Sequence, residues 1–310
     1  MLDEMRTFVV LAESGSLQRA AERLFLTPSA VTRQIQRLEA ALKTPLLDRR
    51  VKPGRITREG RAVLDRGRQM LRIMDDLKAS SATDTEPSGI IHVGLSYMLA
   101  QPSLVASIER LTSRFPRLQP VLSTQLKTQL IDQLRTGELD VALAFLSADD
   151  TMPADLGSSV VAAERLVLVK ARDPQPRPRH SGRSKDQSKD KPKDHALDGR
   201  WVLNPSGCFI RAAIEARLRE LGSPFELAAT INNIDMQIAL VASGIGLGAI
   251  PARFLASHPK RRRLERVTRS GISIDASIVF VRAGHLGRLE SAATFLEQEF
   301  RSHFAERVVR

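Results

Sequence analysis

The chain of 310 residues has one cysteine, Cys208. An intramolecular disulfide is therefore impossible, and a cysteine-built metal site would need ligands of other types. The six histidines, at 92, 180, 195, 258, 285 and 303, are scattered without the short spacings of metal ligands. No stretch approaches the ~18 apolar residues of a membrane-spanning helix. The start, MLDEMRTFVV, carries acid where a secretory leader needs positive charge, and its apolar run is too short. These absences predict a cytoplasmic protein with no metal, no other cofactor and no membrane partner. Catalytic machinery is equally hard to find. No Ser/His/Asp arrangement stands out, and Gly244, Gly246 and Gly248 follow a helical stretch and precede a strand, the wrong order for a dinucleotide loop. The expectation is a protein that is not an enzyme. The alternative is a ligand-processing, enzyme-like domain fused to a binding head, and turnover would reveal it.

What the chain does have is positive charge and organised apolar spacing. A net charge of +12 calls for an anionic partner, and nucleic acid is favoured over a membrane surface. At this length two or three domains are expected, and 42% hydrophobic residues suffice for proper cores. Residues 16–42 read as two short helices joined by a tight turn. Leu17, Ala20, Ala21 and Leu24 share one helical face behind a Ser16 N-cap. Thr27-Pro28 restarts the chain, because Pro at the first helical position loses no hydrogen bond. In the second helix Val31, Ile35, Leu38 and Leu42 point inward. Ser29, Thr32, Arg33, Gln36 and Arg37 point outward, and Gln34 lies near the edge between the faces. Such an outer face suits the donor and acceptor pattern of the major groove of double-stranded DNA. On periodicity alone, an amphipathic pair with a solvated polar face stays open.

The flanks favour the DNA reading. Residues 3–14 form a first helix with Met5, Phe8, Val9 and Ala12 inward, stopped by Gly15. After the reading helix, Arg49, Arg50, Lys52 and Arg55 surround a Pro53-Gly54 turn, a small hairpin with a basic tip that phosphates attract. Residues 58–79 then read as a long helix. Val63, Met70 and Leu77 recur every seven residues, which suits pairing with a second copy; the alternative is a helix covering its own domain. Residues 80–89, SSATDTEPSG, are a linker.

From residue 90 strands and helices alternate. The order implies a mostly parallel, helix-covered sheet, with a buried strand at LDVALAF and another beginning near Glu164. Residues 172–198 are rich in Lys, Asp, Pro and Ser and poor in apolar residues. Nothing there offsets ordering entropy, so this insertion is expected to be disordered. The alternation resumes at Arg200, giving two α/β halves with a crevice suited to a small ligand.

The run from Phe8 to Glu39, FVVLAESGSLQRAAERLFLTPSAVTRQIQRLE, together with Ile56, Thr57 and Gly60 at the end of the hairpin, resembles the LysR-type transcriptional regulators. GELDVALAF at 137–145 and LVASGIGLGAIP at 240–251 are similar to that family's usual segments. The chain departs at Thr44, where the family commonly has Gly, and at Leu47, where it usually has Phe. The resemblance implies an α/β fold with an all-α-rich N-terminal winged helix-turn-helix and a C-terminal two-lobed effector domain like a periplasmic binding protein. It divides the chain into a DNA-binding domain at 1–59, a dimerisation helix at 60–79, a hinge at 80–89 and an effector-binding domain at 90–310. Implied partners are promoter DNA, a small-molecule effector, and further copies of the chain in a homodimer or homotetramer, with RNA polymerase as another candidate. Loops at strand ends supply the expected effector contacts: Ser96, Tyr97, Met98, Gln125, Lys127 and Thr128 from the first lobe, and Pro205, Ser206, Cys208, Phe209 and Arg211 from the second. Cys208 to Arg211 also begin a helix, whose free N–H groups favour a small organic anion.

Overall fold

The computed structural model describes residues 1–50, 54–80, 86–147, 150–173, 199–268 and 272–305. Lys52 and Pro53 of the hairpin tip, and most of the insertion expected to be disordered, lie outside the described residues.

The N-terminal head is built from α1 (Leu2–Ser14), α2 (Leu17–Leu24), α3 (Pro28–Leu42), a two-stranded hairpin of β1 (Leu47–Asp48) and β2 (Arg55–Ile56), and α4 (Arg58–Ser80). Gly15 takes the left-handed conformation that ends α1, and its N–H closes on the Leu11 carbonyl. The Thr27 hydroxyl accepts from the Ala30 N–H at 3.2 Å, with Pro28 at the first helical position. Ser16 occupies the N-cap position of α2 in extended backbone, but its hydroxyl makes no capping bond. Phe8, Ile35, Leu38 and Leu46 are wholly buried where the three helices and the hairpin meet, and Leu64 and Leu71 of α4 complete that core. The apolar stripe of α4 therefore splits: Leu64 and Leu71 serve the head, while Ile73 and Leu77 are exposed.

The second part begins with β3 (Gly89–Ser96), α5 (Val105–Arg114), β4 (Leu118–Gln125), α6 (Lys127–Thr136) and β5 (Val141–Ser147). It continues through β6 (Gly157–Ala171), β7 (Arg200–Leu203), α7 (Phe209–Glu220), β8 (Glu226–Thr230), α8 (Ile234–Ala242), β9 (Gly248–Pro251) and α9 (Ala252–Ser257). The chain ends on β10 (Leu264–Arg266), β11 (Ile274–Arg282) and α10 (Glu290–Ala305). The main sheet runs β10-β6-β11-β5-β3-β4, with β9 on β6; β7 and β8 form a separate parallel pair tied to Leu247 by a bridge at Trp201.

Two expectations need correction. The sheet is mixed rather than mostly parallel. Only β3, β4 and β5 are parallel, while β6, β9, β10 and β11 join antiparallel. The crossover rule governs the first lobe, but β11 returns from the second lobe and slots between β5 and β6. Strand β6 also begins at Gly157, seven residues before Glu164, and is 15 residues long. Its first part pairs with β11 and its last part with β9 and β10, so one strand belongs to both lobes. A continuous apolar cluster, including Trp201, Phe280 and Phe300, runs through both lobes. No helix among the described residues is long and apolar enough to cross a membrane.

Head and lobe are joined through α4. Arg72 meets Asp140 at 3.1 Å and also donates to the Gly137 carbonyl. Arg68 meets Glu138 at 2.7 Å, and the Gln69 amide donates to the Arg135 carbonyl at 2.7 Å. In the second lobe the nearly buried pair Arg253–Glu164, at 2.7 Å, holds α9 on β6, and Arg253 also donates to the Phe304 carbonyl at the end of α10.

At Gly60 of the head a Cβ would run into the backbone carbonyl oxygen of Leu46 and the Ile56 side chain. Backbone cannot step aside cheaply, so Gly60→Ala should cost about 1–3 kcal/mol in chemical denaturation; an unchanged midpoint would show that the hairpin yields. On α10, burial raises the pKa of Glu297, but hydrogen bonds from Ser159, Arg301 and Arg282 outweigh that and hold it at about 2, below its usual 4.5. The stability it contributes is full above pH 4.5 and is lost as pH falls toward about 2. The difference in melting temperature between wild type and Glu297→Gln should shrink through that window; a pH-independent difference would remove Glu297 from the acid response.

Candidate DNA-reading surface and effector cleft

Helix α3 presents its polar side as read from the sequence. Ser29, Arg33, Gln36 and Arg37 are exposed. Thr32 is half-buried and its hydroxyl is turned back onto the Pro28 carbonyl at 2.9 Å. The Gln34 side-chain oxygen accepts from the Thr7 hydroxyl and joins α3 to α1. Gln34 is half-buried and borders the same surface groove as Arg33, Gln36 and Arg37. Arg37 lies 3.7 Å from Glu4, a loose surface pair.

The hairpin arginines differ in how they are held. Glu39, near the end of α3, accepts from the backbone N–H groups of Leu46 and Leu47 and from Arg49 at 2.7 Å. That carboxylate pins the chain as it leaves the reading helix, and Arg49 is part of the pin. Arg50 is 90% exposed and pairs with Asp48 at 3.0 Å, which holds the Asp48 carboxyl below its ordinary pKa. Arg55 is exposed on β2 opposite Asp48. One feature of the head had no sequence signal. Phe25 ends α2 in left-handed backbone, φ 54°, with its ring 96% exposed at the turn before α3.

The second site is a cavity of about 240 Å³ between the two lobes. It is walled by the C-terminal ends of β3, β4, β5 and β7 and by the first turns of α6 and α7. Of the predicted effector contacts, Ser96, Tyr97, Met98, Gln125, Lys127, Thr128, Cys208 and Phe209 line it. Pro205, Ser206 and Arg211 do not. Arg211 pairs with Glu215 at 2.7 Å and lies over the Phe225 ring, on the far side of α7. Burial raises the pKa of the Cys208 thiol, against bonds from the Ile210 and Arg211 N–H groups, so it is a protonated lining group at neutral pH.

The sequence reading missed Leu126, Phe145, Asp150, Asn204, Gly207, Ile210 and Ala212 in this wall. Phe145 and Asn204 stand at or just past strand ends, where the strand-end rule could have found them. Asp150 meets Lys127 at 2.5 Å, and its carboxyl also takes the Ser147 N–H. Burial raises the Asp150 pKa, but these bonds win and lower it.

Comparison with known proteins agrees with this two-part build. Residues 2–61 match the family described as "Bacterial regulatory helix-turn-helix protein, lysR family", and residues 84–300 match "LysR substrate binding domain". Among similar proteins is the HTH-type transcriptional activator IlvY of Salmonella typhimurium, 27% identical over 275 residues, 87% of this chain and 89% of that one. The HTH-type transcriptional regulator GltR of Bacillus subtilis is 26% identical over 301 residues, 97% and 96% of the two chains. A full-length OxyR variant from Pseudomonas aeruginosa shares the fold with a TM-score of 0.73 at 22% identity, covering 97% of each chain. CbnR, solved in complex with its target DNA, aligns with a TM-score of 0.57 at 21% identity over 97% of this chain and 99% of that one. With both halves matched, the chain belongs to the LysR family of transcriptional regulators, a helix-turn-helix DNA-binding head followed by an effector-binding domain.

Proposed function

We propose that α3 enters the major groove of promoter DNA and that Ser29, Arg33, Gln36 and Arg37 read base edges from its outer face. The observation that carries this is the exposure of those four side chains together, on a helix whose opposite face is fully committed to the head core. Arg50 and Arg55 flank the groove and meet phosphates, and Arg49 acts mainly through Glu39 by setting the hairpin. Lys52, also assigned to phosphate contact, lies outside the described residues. Two copies pair through α4, where Ile73 and Leu77 stand exposed beyond the head core. Pairing doubles the base contacts of a small reading unit and sets two half-sites.

The cleft takes a small organic ligand with a carboxylate, which Lys127 and the first turns of α6 and α7 favour. Binding regulates DNA recognition and is not followed by chemistry. The protonated Cys208 thiol and the mutually paired Lys127 and Asp150 support that reading, since none of them is poised as a nucleophile or base.

For the head, Arg33→Ala should cost about 1–3 kcal/mol on a specific operator and much less on random DNA in fluorescence anisotropy. Arg50→Ala should weaken both and lower the slope of affinity against salt by about one. Equal loss on both DNAs for Arg33→Ala would reassign it to a phosphate. For the cleft, a panel of carboxylated metabolites should contain a compound that shifts DNA affinity or bending of the full chain, with Thr128→Ala weakening the response. A ligand must favour one arrangement of the dimer to act at all. A compound that saturates the cleft yet changes neither DNA affinity, bending nor transcription would reject the switch.

A further inference from the structure

The charge of the cleft is balanced. Among the described residues that line it, the charged ones are Lys127 and Asp150, and they are paired with each other. Their side chains are 23% and 33% exposed, partly withdrawn from water. Most of the remaining wall is apolar, with Met98, Leu126, Phe145, Phe209 and Ile210 facing the cavity.

Two residues of the wall each carry a buried amide oxygen with no hydrogen-bond partner among the described residues. Asn204 is buried, 3% exposed, and its Nδ2 donates to the Ile231 carbonyl at 3.2 Å. Turning the amide over would set oxygen against oxygen, so the group left unsatisfied is the acceptor Oδ1. Gln125, whose side chain lies in the same wall, leaves its Oε1 unsatisfied as well. Buried acceptors without donors are costly.

These facts discriminate among ligands that carry a carboxylate. A simple anion at Lys127 sets a second negative charge beside the Asp150 carboxylate, two anions sharing one cation between apolar walls. A simple cation at Asp150 sets two positive charges on one carboxylate. A molecule bearing both charges exchanges one ion pair for two: its carboxylate meets Lys127 and its ammonium meets Asp150. The N–H bonds of a primary ammonium have the Asp150 carboxylate as their acceptor. Its carbon body then meets the phenyl and aliphatic wall. From this we infer that the cleft binds a zwitterion with an apolar body, an α-amino acid with an apolar side chain. The inference rests on the reading of the cleft as the effector site.

The test is calorimetry on the full chain with L-leucine and L-phenylalanine. Each is compared with its analogue lacking the ammonium (4-methylpentanoate, 3-phenylpropionate) and its analogue lacking the carboxylate (isopentylamine, 2-phenylethylamine). At least one amino acid should bind tenfold or more tightly than both of its analogues. Asp150→Asn should remove that preference over the ammonium-free acid, and Lys127→Met should weaken every carboxylate; the analogue comparison in wild type needs no variant to fold. If 3-phenylpropionate or 4-methylpentanoate binds as tightly as its amino acid, the cleft takes simple anions and the inference fails. If none of the six binds while another metabolite shifts DNA affinity through Thr128, the inference fails and the effector site stands. If no metabolite shifts DNA affinity, the effector reading falls and takes the inference with it.

Discussion

Asp140 holds the two parts of this molecule together. Its carboxylate is almost completely buried and accepts from the His92 backbone N–H at 2.6 Å, with Arg72 of α4 at 3.1 Å and the His92 ring at 3.2 Å. Its own N–H donates to the His92 carbonyl, and its carbonyl accepts from Ala283 just beyond β11. One residue thus joins helix α4, the first strand of the effector domain and the strand that returns from the second lobe. A charge so far from water is stable only while its partners stay in place. The placement of the head on the effector domain is therefore not a soft surface contact.

The second lobe repeats this solution with different residues. Glu164 and Arg253 are both withdrawn from solvent, and the spare guanidinium donors reach the Ala163 and Phe304 carbonyls. Here the buried pair fastens a short helix and the end of α10 onto β6. Because β6 continues from one lobe into the other, the lobes share a backbone as well as a core. Any change in the angle between them has to be absorbed as twist in β6 and β11, and β11 carries a register irregularity between Ile278 and Val279 where it pairs with β6.

How much of this could be read from the sequence depends on the range of the interaction. The head was legible because its signals are local: inward spacing in α1 and α3, the left-handed Gly15, and the Thr27-Pro28 start. The Gln34 bond had no local signal because its partner, Thr7, is on another helix. The strand-end rule brought eight predicted residues to the cleft wall. It failed at Arg211 because the helix begins there: at about 100° per residue, a side chain two places past Phe209 has rotated away from it. Asp150 had no periodic signal, and its meaning comes from Lys127, 23 residues distant. The direction of the buried strands was hidden for a related reason. The apolar runs of β5 and β11 read alike whether their neighbours run parallel or antiparallel, since both faces are covered in either case.

Strand β3 has a cleft end and a head end. Ser96 lies in the cavity wall, and His92, four residues back, is bonded to the carboxylate that holds Arg72. At 3.3 Å per residue the two ends are about 13 Å apart. Between them the strand is buried and paired on both sides, with β4 and with β5. Divergence within such a lineage therefore has two separable targets on a single strand. The two ends have separate surroundings, Ser96 in the cavity wall and His92 beside the Asp140 carboxylate, so a substitution at one need not touch the contacts of the other.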